Sequence, residues 1–488
     1  MDEQIRRIVL VRPGELTIKG RKTRRLFEKL LLNNIKDSLG SAKISFEIKA
    51  EPGRIYIYTD DAEKAAEQVC RVFGIKSLST ALEVEFDTLD ELVKKARDIF
   101  AEHVKGKKFA VRVRRRGSHS FTSMDVAKKL GDALYPLSRG VDLKKPEAEV
   151  FVEIREKRAY LFTEVKKCCG GLPLGSEGRV VALVSGGIDS PVAAWYMMRR
   201  GARVDYVFCN LAGEAAEAAV LSVLKVLADK WSYGYRPKLY VVDFRELLYE
   251  LRTKTEPSLL NVLLKRYMYR AAEMIAEKTG AEGIVTGEVL GQVASQTLRN
   301  LYVSSLAVRA PIYRPLIGLD KDEIVAEAER IGTYRFSLLV KEYCGAFAEH
   351  PKTHASLDEV EREEEKISGE ILRKAVQSAK VIDLRSAAMP KLTEKYEVDE
   401  IPQNAVILDL RPSSKYGRWH LKNSLNIDFM ELPMLLNKLD KNKTYVLVCD
   451  EGALSLEAAR LMREKGFKAY SLRGGIRRIQ KKKGYFRR

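Results

Sequence analysis

The chain has no run of about 18 apolar residues, so the sequence offers no membrane-spanning helix. Its start, "MDEQIRRIVLVRPGELTIKG", lacks the apolar core and small-residue cleavage site of a secretory signal, and its apolar run reads as a strand. Cysteine is sparse and scattered: six residues, at 70, 168, 169, 209, 344 and 449, with no C-x-x-C pair. That spacing excludes a disulfide framework and gives no zinc or cluster signature. Cys168 and Cys169 are adjacent, which is poor geometry for a bridge, and they are assigned no role; Cys70 reads as core. A cytoplasmic location fits, and any cysteine chemistry is expected to be catalytic or redox-linked. Acidic residues are also in deficit, 67 against 86 Lys and Arg, for a net charge of +19 and a pI near 9.4. Such an excess favours a polyanionic partner. With no basic amphipathic membrane helix in evidence, nucleic acid leads and no membrane role is expected.

What is present is an ordinary globular composition, 45% hydrophobic and 31% charged, over 488 residues. That length is too great for one core and predicts several domains. Residues 1–60 alternate strand ("RIVLVRP", "GRIYIYT") and helix ("RKTRRLFEKLLLNNIKDSL"), with Phe27, Leu30, Leu31 and Ile35 at core spacing. The polar face of that helix carries Lys22, Arg24 and Arg25, a solvated face or a phosphate track. Residues 61–167 form a second α+β region. Its strand "FAVRVRRR" sets Arg112 and Arg114 on one face and continues into Arg115 and Arg116. With His119 and Phe121 just beyond, the segment suits phosphate contact with base stacking; the alternative is an exposed charged strand end. The glycine-rich stretch 168–178 reads as a linker. Residues 179–345 switch to buried parallel strands alternating with helices. Residues 346–400 read as a charged helical connector, with Ser356 and Glu359 spaced as a capping box. Residues 401–488 return to an α/β rhythm. The fold class expected is therefore multidomain, α+β followed by α/β.

The clearest motif is "VVALVSGGIDSPVAAW". An apolar strand runs into Ser185, Gly186, Gly187, Ile188, Asp189 and Ser190, and a helix begins near Pro191, a residue suited to the first turn. Glycines allow a phosphate close to the backbone, and the free N–H groups of the helix start point at it. Asp189 would repel phosphate unless a divalent cation bridged them, so Mg²⁺ is expected at Asp189. The pattern is neither a Walker loop nor a dinucleotide-binding loop; it resembles the SGGxDS loop of PP-loop pyrophosphatases, which implies ATP. Further along, Gly287, Gln292, Ser295 and Gln296 follow an apolar strand, where a sheet's ligand crevice is expected. Arg314 or Lys321 could stabilise a leaving pyrophosphate. Cys449, ending the run "YVLVC" before "DEGALS", could be a core residue or a presented thiolate; local pattern favours core.

Taken together, "GELTIKGRKTRRLFEKLLLNNI", "GGLPLGSEGRVVALVSGGIDSPVAAW", "GEVLGQVASQTLRNL", "RPLIGLDKDEI" and "EYCGAF" resemble the tRNA 4-thiouridine synthetase family. The resemblance implies a ferredoxin-like domain and a THUMP domain that bind tRNA, then a PP-loop domain with a doubly wound parallel sheet. "ILDLRPSSKYGRWHLKNSLNID" and "LRGGI" are similar to rhodanese patterns, which implies a C-terminal rhodanese-like α/β domain. Cys449 then becomes the sulfur-carrying thiol, its thiolate ringed by backbone N–H groups at a helix start, with Asp450 and Glu451 working against it. Cys344 in "KEYCGAF" matches the family's second cysteine, which implies a redox-active disulfide with Cys449. The implied activity is ATP-dependent tRNA thiolation: adenylation of uracil O4 at position 8, then sulfur transfer from a Cys449 persulfide. A cysteine desulfurase as sulfur donor and a disulfide reductant follow as partners. Sulfur supply for the thiamine thiazole and a homodimer stay open, as do 2-thiolation or amidation of a base, or a tRNA-binding sulfur carrier with a vestigial ATP site.

Overall fold

The computed structural model describes residues 5–15, 20–338, 340, 351–390 and 396–482. The chain divides into two compact units, one of residues 1–177 with 199–201 and 233–235, the other holding the remainder.

The first unit is built on one continuous sheet. Its path runs Glu47–Glu51, Arg54–Tyr58, Arg6–Pro13, Ile75–Glu85, Arg158–Phe162, Ala148–Arg155, Lys108–Arg116, Gly140–Val141. The long strand Ile75–Glu85 is the hinge of this arrangement. It pairs antiparallel with Arg6–Pro13 and with Arg158–Phe162, so two α+β halves share a ladder. The helix Arg21–Ser41 buries Phe27, Leu31, Ile35 and Leu39 as their spacing predicts, while Leu30 stays half-buried. Ala65 and Val69 of the helix Ala62–Val69, with Ile75, pack in the same core as Val9 and Ile57. Residues 62–78 thus share a core with the first 60, although the sequence reading set them with the region that follows. The second half has its own core around Phe100, Val126, Leu130 and Val152.

The expected linker is partly structured. Lys166–Gly170 pairs antiparallel with Ile75–Glu85, because the backbone of 166–170 finds ladder partners there. Cys168 and Cys169 are therefore ladder residues, and the Cys169 thiol donates to the Cys70 and Val72 carbonyls at 3.5 and 3.4 Å.

The second unit contains two sheets. The first has the order Ile312–Tyr313, Ile284–Val285, Arg179–Leu183, Arg203–Asn210, Lys238–Asp243, Lys380–Asp383. The first five strands are parallel; buried apolar runs predict four of them, and the short, partly exposed Ile312–Tyr313 is the addition. The sixth is antiparallel and comes from the stretch read as a purely helical connector. Lys380–Asp383 is too short to show a period in sequence, yet it covers an otherwise open sheet edge. The connector's helices Leu357–Glu364 and Gly369–Gln377 do form, the first with the Ser356–Glu359 capping box. The helix Leu260–Thr279 ends on Gly280 in the left-handed region, as its sequence predicts. The second sheet is fully parallel, ordered Glu397–Val398, Lys468–Leu472, Thr444–Val448, Val406–Asp409, Ser424–Asn426. None of the described helices is long and apolar enough to cross a membrane.

Candidate functional site

The strand Arg179–Leu183 leaves the middle of its sheet, turns through 184–188 and enters the helix Asp189–Arg199. The loop is fixed from within and from outside. The Ser185 N–H donates to Ser190 Oγ at 3.4 Å, and Ser337 Oγ donates to the Gly187 carbonyl at 3.2 Å. Ser185 is exposed, Gly187 and Ile188 are half-buried, and Gly186 and Ser190 are buried. Gly287 earns its place by close approach: a Cβ there would lie 2.6 Å from the Ser190 nitrogen. The second glycine strand end is thus pressed against the N-terminus of the loop's helix, and no larger residue fits.

Asp189, at the head of that helix, gathers side chains that are distant in sequence. Its Oδ1 accepts from Lys321 Nζ at 2.6 Å, and its Oδ2 from Gln292 Nε2 at 3.4 Å. Lys321 is the first residue of the helix Lys321–Ile331, whose N-terminus is closed by an Asp320–Glu323 capping box. The expected residues Asp189, Gln292 and Lys321 therefore converge. Gln296 instead braces its own loop, accepting from the Val289 N–H with its side chain and from the Gly291 N–H with its carbonyl.

Arg314 lies in a different cluster, one the sequence did not signal. Glu288 is buried and accepts from Lys265 Nζ at 2.6 Å, Tyr269 OH at 2.6 Å and Arg314 Nε at 2.8 Å, with Thr286 Oγ1 on its second oxygen at 2.8 Å. Burial raises the carboxyl's pKa, but the Lys265 and Arg314 charges and the hydrogen bonds outweigh it and hold the group at about 2. This network sits directly after Gly287 and ties the helix Leu260–Thr279 to the nucleotide-loop sheet. Replacing Glu288 by alanine leaves two half-buried cations, Lys265 and Arg314, without their shared carboxylate. We expect a loss of about 3–5 kcal/mol in unfolding free energy, read by calorimetry. The same carboxyl has an acid signature. Its contribution is complete above its ordinary pKa of 4.5 and drains as pH falls towards about 2; Glu288→Ala should lack that part of the acid transition.

In the second sheet, the strand Thr444–Val448 delivers Cys449 into the turn 450–452, and the helix Ala453–Glu464 follows. Cys449 is 3% exposed. Its sulfur accepts from the Gly452 N–H at 3.2 Å and lies 3.5 Å from Ser455 Oγ, which is itself 2.8 Å from Ser471 Oγ. The two acids that follow it are both paired. Lys415 Nζ donates to Asp450 at 2.9 Å, with Arg411 3.9 Å away, and Arg477 pairs with Glu451. Each acid thus has a cationic partner, which adjacency in sequence did not reveal. Cys344 lies outside the described residues.

In the first unit, Arg112 pairs with Glu149 at 2.9 Å, Arg115 donates to His119 Nδ1 at 2.9 Å, and Arg116 donates to the Pro52 carbonyl at 3.0 Å. Arg114 is exposed, with no side-chain hydrogen bond or ion pair among the described residues. Phe121 packs against the second core, its ring 6.3 Å from that of Phe86 and 5.0 Å from the His119 ring. Lys22 and Arg25 are exposed, and Arg24 sits 3.6 Å from Glu28. Among the described residues, no group of three or more His, Cys, Asp or Glu could hold a metal ion.

Comparison with known proteins agrees with this division. Residues 8–79 match the ThiI ferredoxin-like domain, 86–164 the THUMP domain, 175–368 the family described as thiamine biosynthesis protein (ThiI), and 392–482 the rhodanese-like domain. The chain is 42% identical over 473 residues to a tRNA sulfurtransferase of Pyrobaculum aerophilum, covering 96% of each. It is 44% identical to a probable tRNA sulfurtransferase of Saccharolobus solfataricus, over 77% of this chain and 100% of the relative. Among solved structures, it is similar to a 4-thiouridine synthetase–RNA complex with bound ATP, at 33% identity and a TM-score of 0.70, covering 77% of this chain and 99% of that one. A parallel-sheet phosphate loop, a sheet-borne thiol and a near full-length match to these relatives together place the chain in the tRNA sulfurtransferase family.

Proposed function

We propose that the chain uses ATP to thiolate a tRNA uracil at C4 in two half-reactions, on position 8, with Cys449 as the sulfur carrier. The observation that carries this reading is the convergence of Asp189, Lys321 and Gln292 at the mouth of the phosphate loop, in the same unit as a thiol held by a helix-start N–H. In the first half-reaction, uracil O4 attacks the α-phosphorus and pyrophosphate leaves. The N–H groups at the start of the helix Asp189–Arg199 and the Ser185 hydroxyl receive the phosphates, and Lys321 faces the charge that develops. Asp189 would hold Mg²⁺. A single carboxylate fits that ion, which usually takes one or two protein carboxylates and completes its shell with phosphate oxygens and water. When bound, the ion supplies charge neutralisation between Asp189 and the phosphates.

In the second half-reaction, the outer sulfur of a Cys449 persulfide attacks C4, and AMP departs carrying the former O4. The C4–S–S–Cys449 linkage is then broken by the Cys344 thiolate at the Cys449 sulfur. This frees the thiolated base and leaves a Cys344–Cys449 disulfide. A dithiol reductant restores both thiols, and a cysteine desulfurase reloads Cys449. The parts that serve this scheme are the first unit for tRNA, with residues 62–78 joined to the first 60, the six-stranded-sheet domain including Lys380–Asp383 for ATP, and the five-stranded-sheet domain for sulfur.

The deciding experiment is mass spectrometry of tRNA incubated with the enzyme, ATP, Mg²⁺, a desulfurase and cysteine, with Cys344 and Cys449 replaced in turn. Oxygen-to-sulfur exchange at uracil C4 supports the reading; exchange at C2, or amidation, overturns it. The basic strand has its own test. Arg114→Glu should weaken tRNA binding by about tenfold at low salt and shallow the slope of affinity against salt, measured by filter binding. Unchanged binding removes that strand from the tRNA surface.

A further inference from the structure

The second unit contains a contact that neither half-reaction explains. Glu457, on the second turn of the helix Ala453–Glu464, is only 8% exposed. Among the described residues, its carboxylate makes no hydrogen bond within its own sheet domain. It accepts from the Glu214 N–H at 3.1 Å and the Ala215 N–H at 2.9 Å, the first donors of the helix Glu214–Trp231 in the nucleotide-loop domain. These are the groups a helix leaves unpaired at its start, and a carboxylate there also meets the favourable end of the helix dipole.

The seat is shaped for that carboxylate. Gly213 has φ of +145°, and a Cβ on it would lie 2.1 Å from Glu457 Oε1. Asn210 holds the turn in place, accepting from the Ala212 and Gly213 N–H groups at 3.1 and 2.9 Å and donating to the Gly213 carbonyl at 2.8 Å. One ion pair flanks it, Arg460 with Glu214, and a second, Arg252 with Asp428 through two bonds of 3.1 and 2.9 Å, joins the same two domains.

The position of the seat gives the contact a purpose. Strands Arg179–Leu183 and Arg203–Asn210 are parallel neighbours, so the phosphate loop and the turn 211–213 leave the sheet at the same edge. Val220, two turns into the seat's helix, is packed on the phosphate loop, 2.9 Å from where a Gly186 Cβ would be. On the other side, Glu457 lies one helical turn, about 5.4 Å, beyond the residue at which the Cys449 turn ends. The contact therefore joins the helix that lines the phosphate loop to the helix that starts at the thiol.

We propose that Glu457, seated on the 213–215 helix start, is the positioning residue that docks the Cys449-bearing domain at the nucleotide edge for sulfur transfer. This rests on the two-step reading above, and it concerns only the meeting of the two steps. Docking raises the effective concentration of the carried sulfur at the activated base, beyond what a tether alone provides.

The test uses the full chain with tRNA, ATP, Mg²⁺, a desulfurase and cysteine. Pyrophosphate release, 35S loading of Cys449 and thiolated tRNA are followed separately. Glu457→Gln should lower the thiolation rate at least about tenfold, while pyrophosphate release and sulfur loading stay at their wild-type rates. Glu457→Gln thiolating at the wild-type rate overturns the proposal. Should that buried substitution impair folding, the flanking pair decides the matter. Arg460→Glu and Glu214→Arg should each slow thiolation, and the double exchange should restore it. Single exchanges without effect, or a double exchange no faster than the singles, overturn the docking role. Loss of pyrophosphate release or of sulfur loading in the wild-type chain would instead count against the two-step reading itself.

Discussion

Replacing Cys449 by serine should stop tRNA thiolation, with a fall of about 10³-fold or more, while tRNA-dependent pyrophosphate release continues. The size follows from removing a nucleophile for which the hydroxyl is no substitute: serine carries no persulfide. The selectivity follows from the architecture. Cys449 ends a strand of the five-stranded sheet, and the phosphate loop ends a strand of the six-stranded one, so changing the thiol alters no residue of the loop. The substitution is also mild in packing terms, because the sulfur already sits against the Gly452 N–H and the Ser455 hydroxyl, polar partners that accept an oxygen. The measurement is mass spectrometry of the tRNA beside a pyrophosphate assay. Full-rate thiolation by Cys449→Ser would end the sulfur-carrier reading. Simultaneous loss of pyrophosphate release would show that the two steps are not separable.

Asp189→Ala should give the complementary result. Pyrophosphate release falls by about 10²–10³-fold, and 35S from cysteine still loads Cys449. Removing this carboxylate takes away the proposed Mg²⁺ ligand and also releases Lys321 and Gln292, which it holds at 2.6 and 3.4 Å. Lys321→Ala should lower the same step without affecting loading, and by less, since it removes one cation rather than the centre of the cluster. Asp189→Asn separates the contributions: it keeps the shape and the Gln292 contact but loses the charge. Wild-type pyrophosphate release by Asp189→Ala would mean that the nucleotide is activated elsewhere.

The strands and helices that carry chemistry were legible because their signals are local. The phosphate loop is six contiguous residues between a strand and a helix, and its turn chemistry, glycines then a helix start, lies within one short window. For Cys449 an apolar run, a turn and a helix in order mark its place at a strand end, while the local pattern favours core and its expected role comes only with the resemblance. Lys380–Asp383 was not legible, because four residues within a charged stretch carry no period and become a strand only against Lys238–Asp243. Lys166–Gly170 was missed for a similar reason, its glycines and adjacent cysteines reading as a linker until Ile75–Glu85 supplied a ladder. Arg314 was legible only as a cation, and its partner Glu288 could not be foreseen: a buried acid is recognisable only once its neighbours Lys265 and Tyr269 are in place.

By itself, the sequence determined the parallel strands, the phosphate loop, the thiol at a strand end and the basic strand of residues 112–116. Each is written in residue order at spacings of one to four, which backbone geometry converts directly into local shape. Only the tertiary structure decided that Lys321 meets Asp189 across 132 positions, and that Glu457 seats on a helix start more than 240 residues earlier. Those pairings depend on sheet order and on which helix ends the packing brings together, and no short-range pattern encodes either.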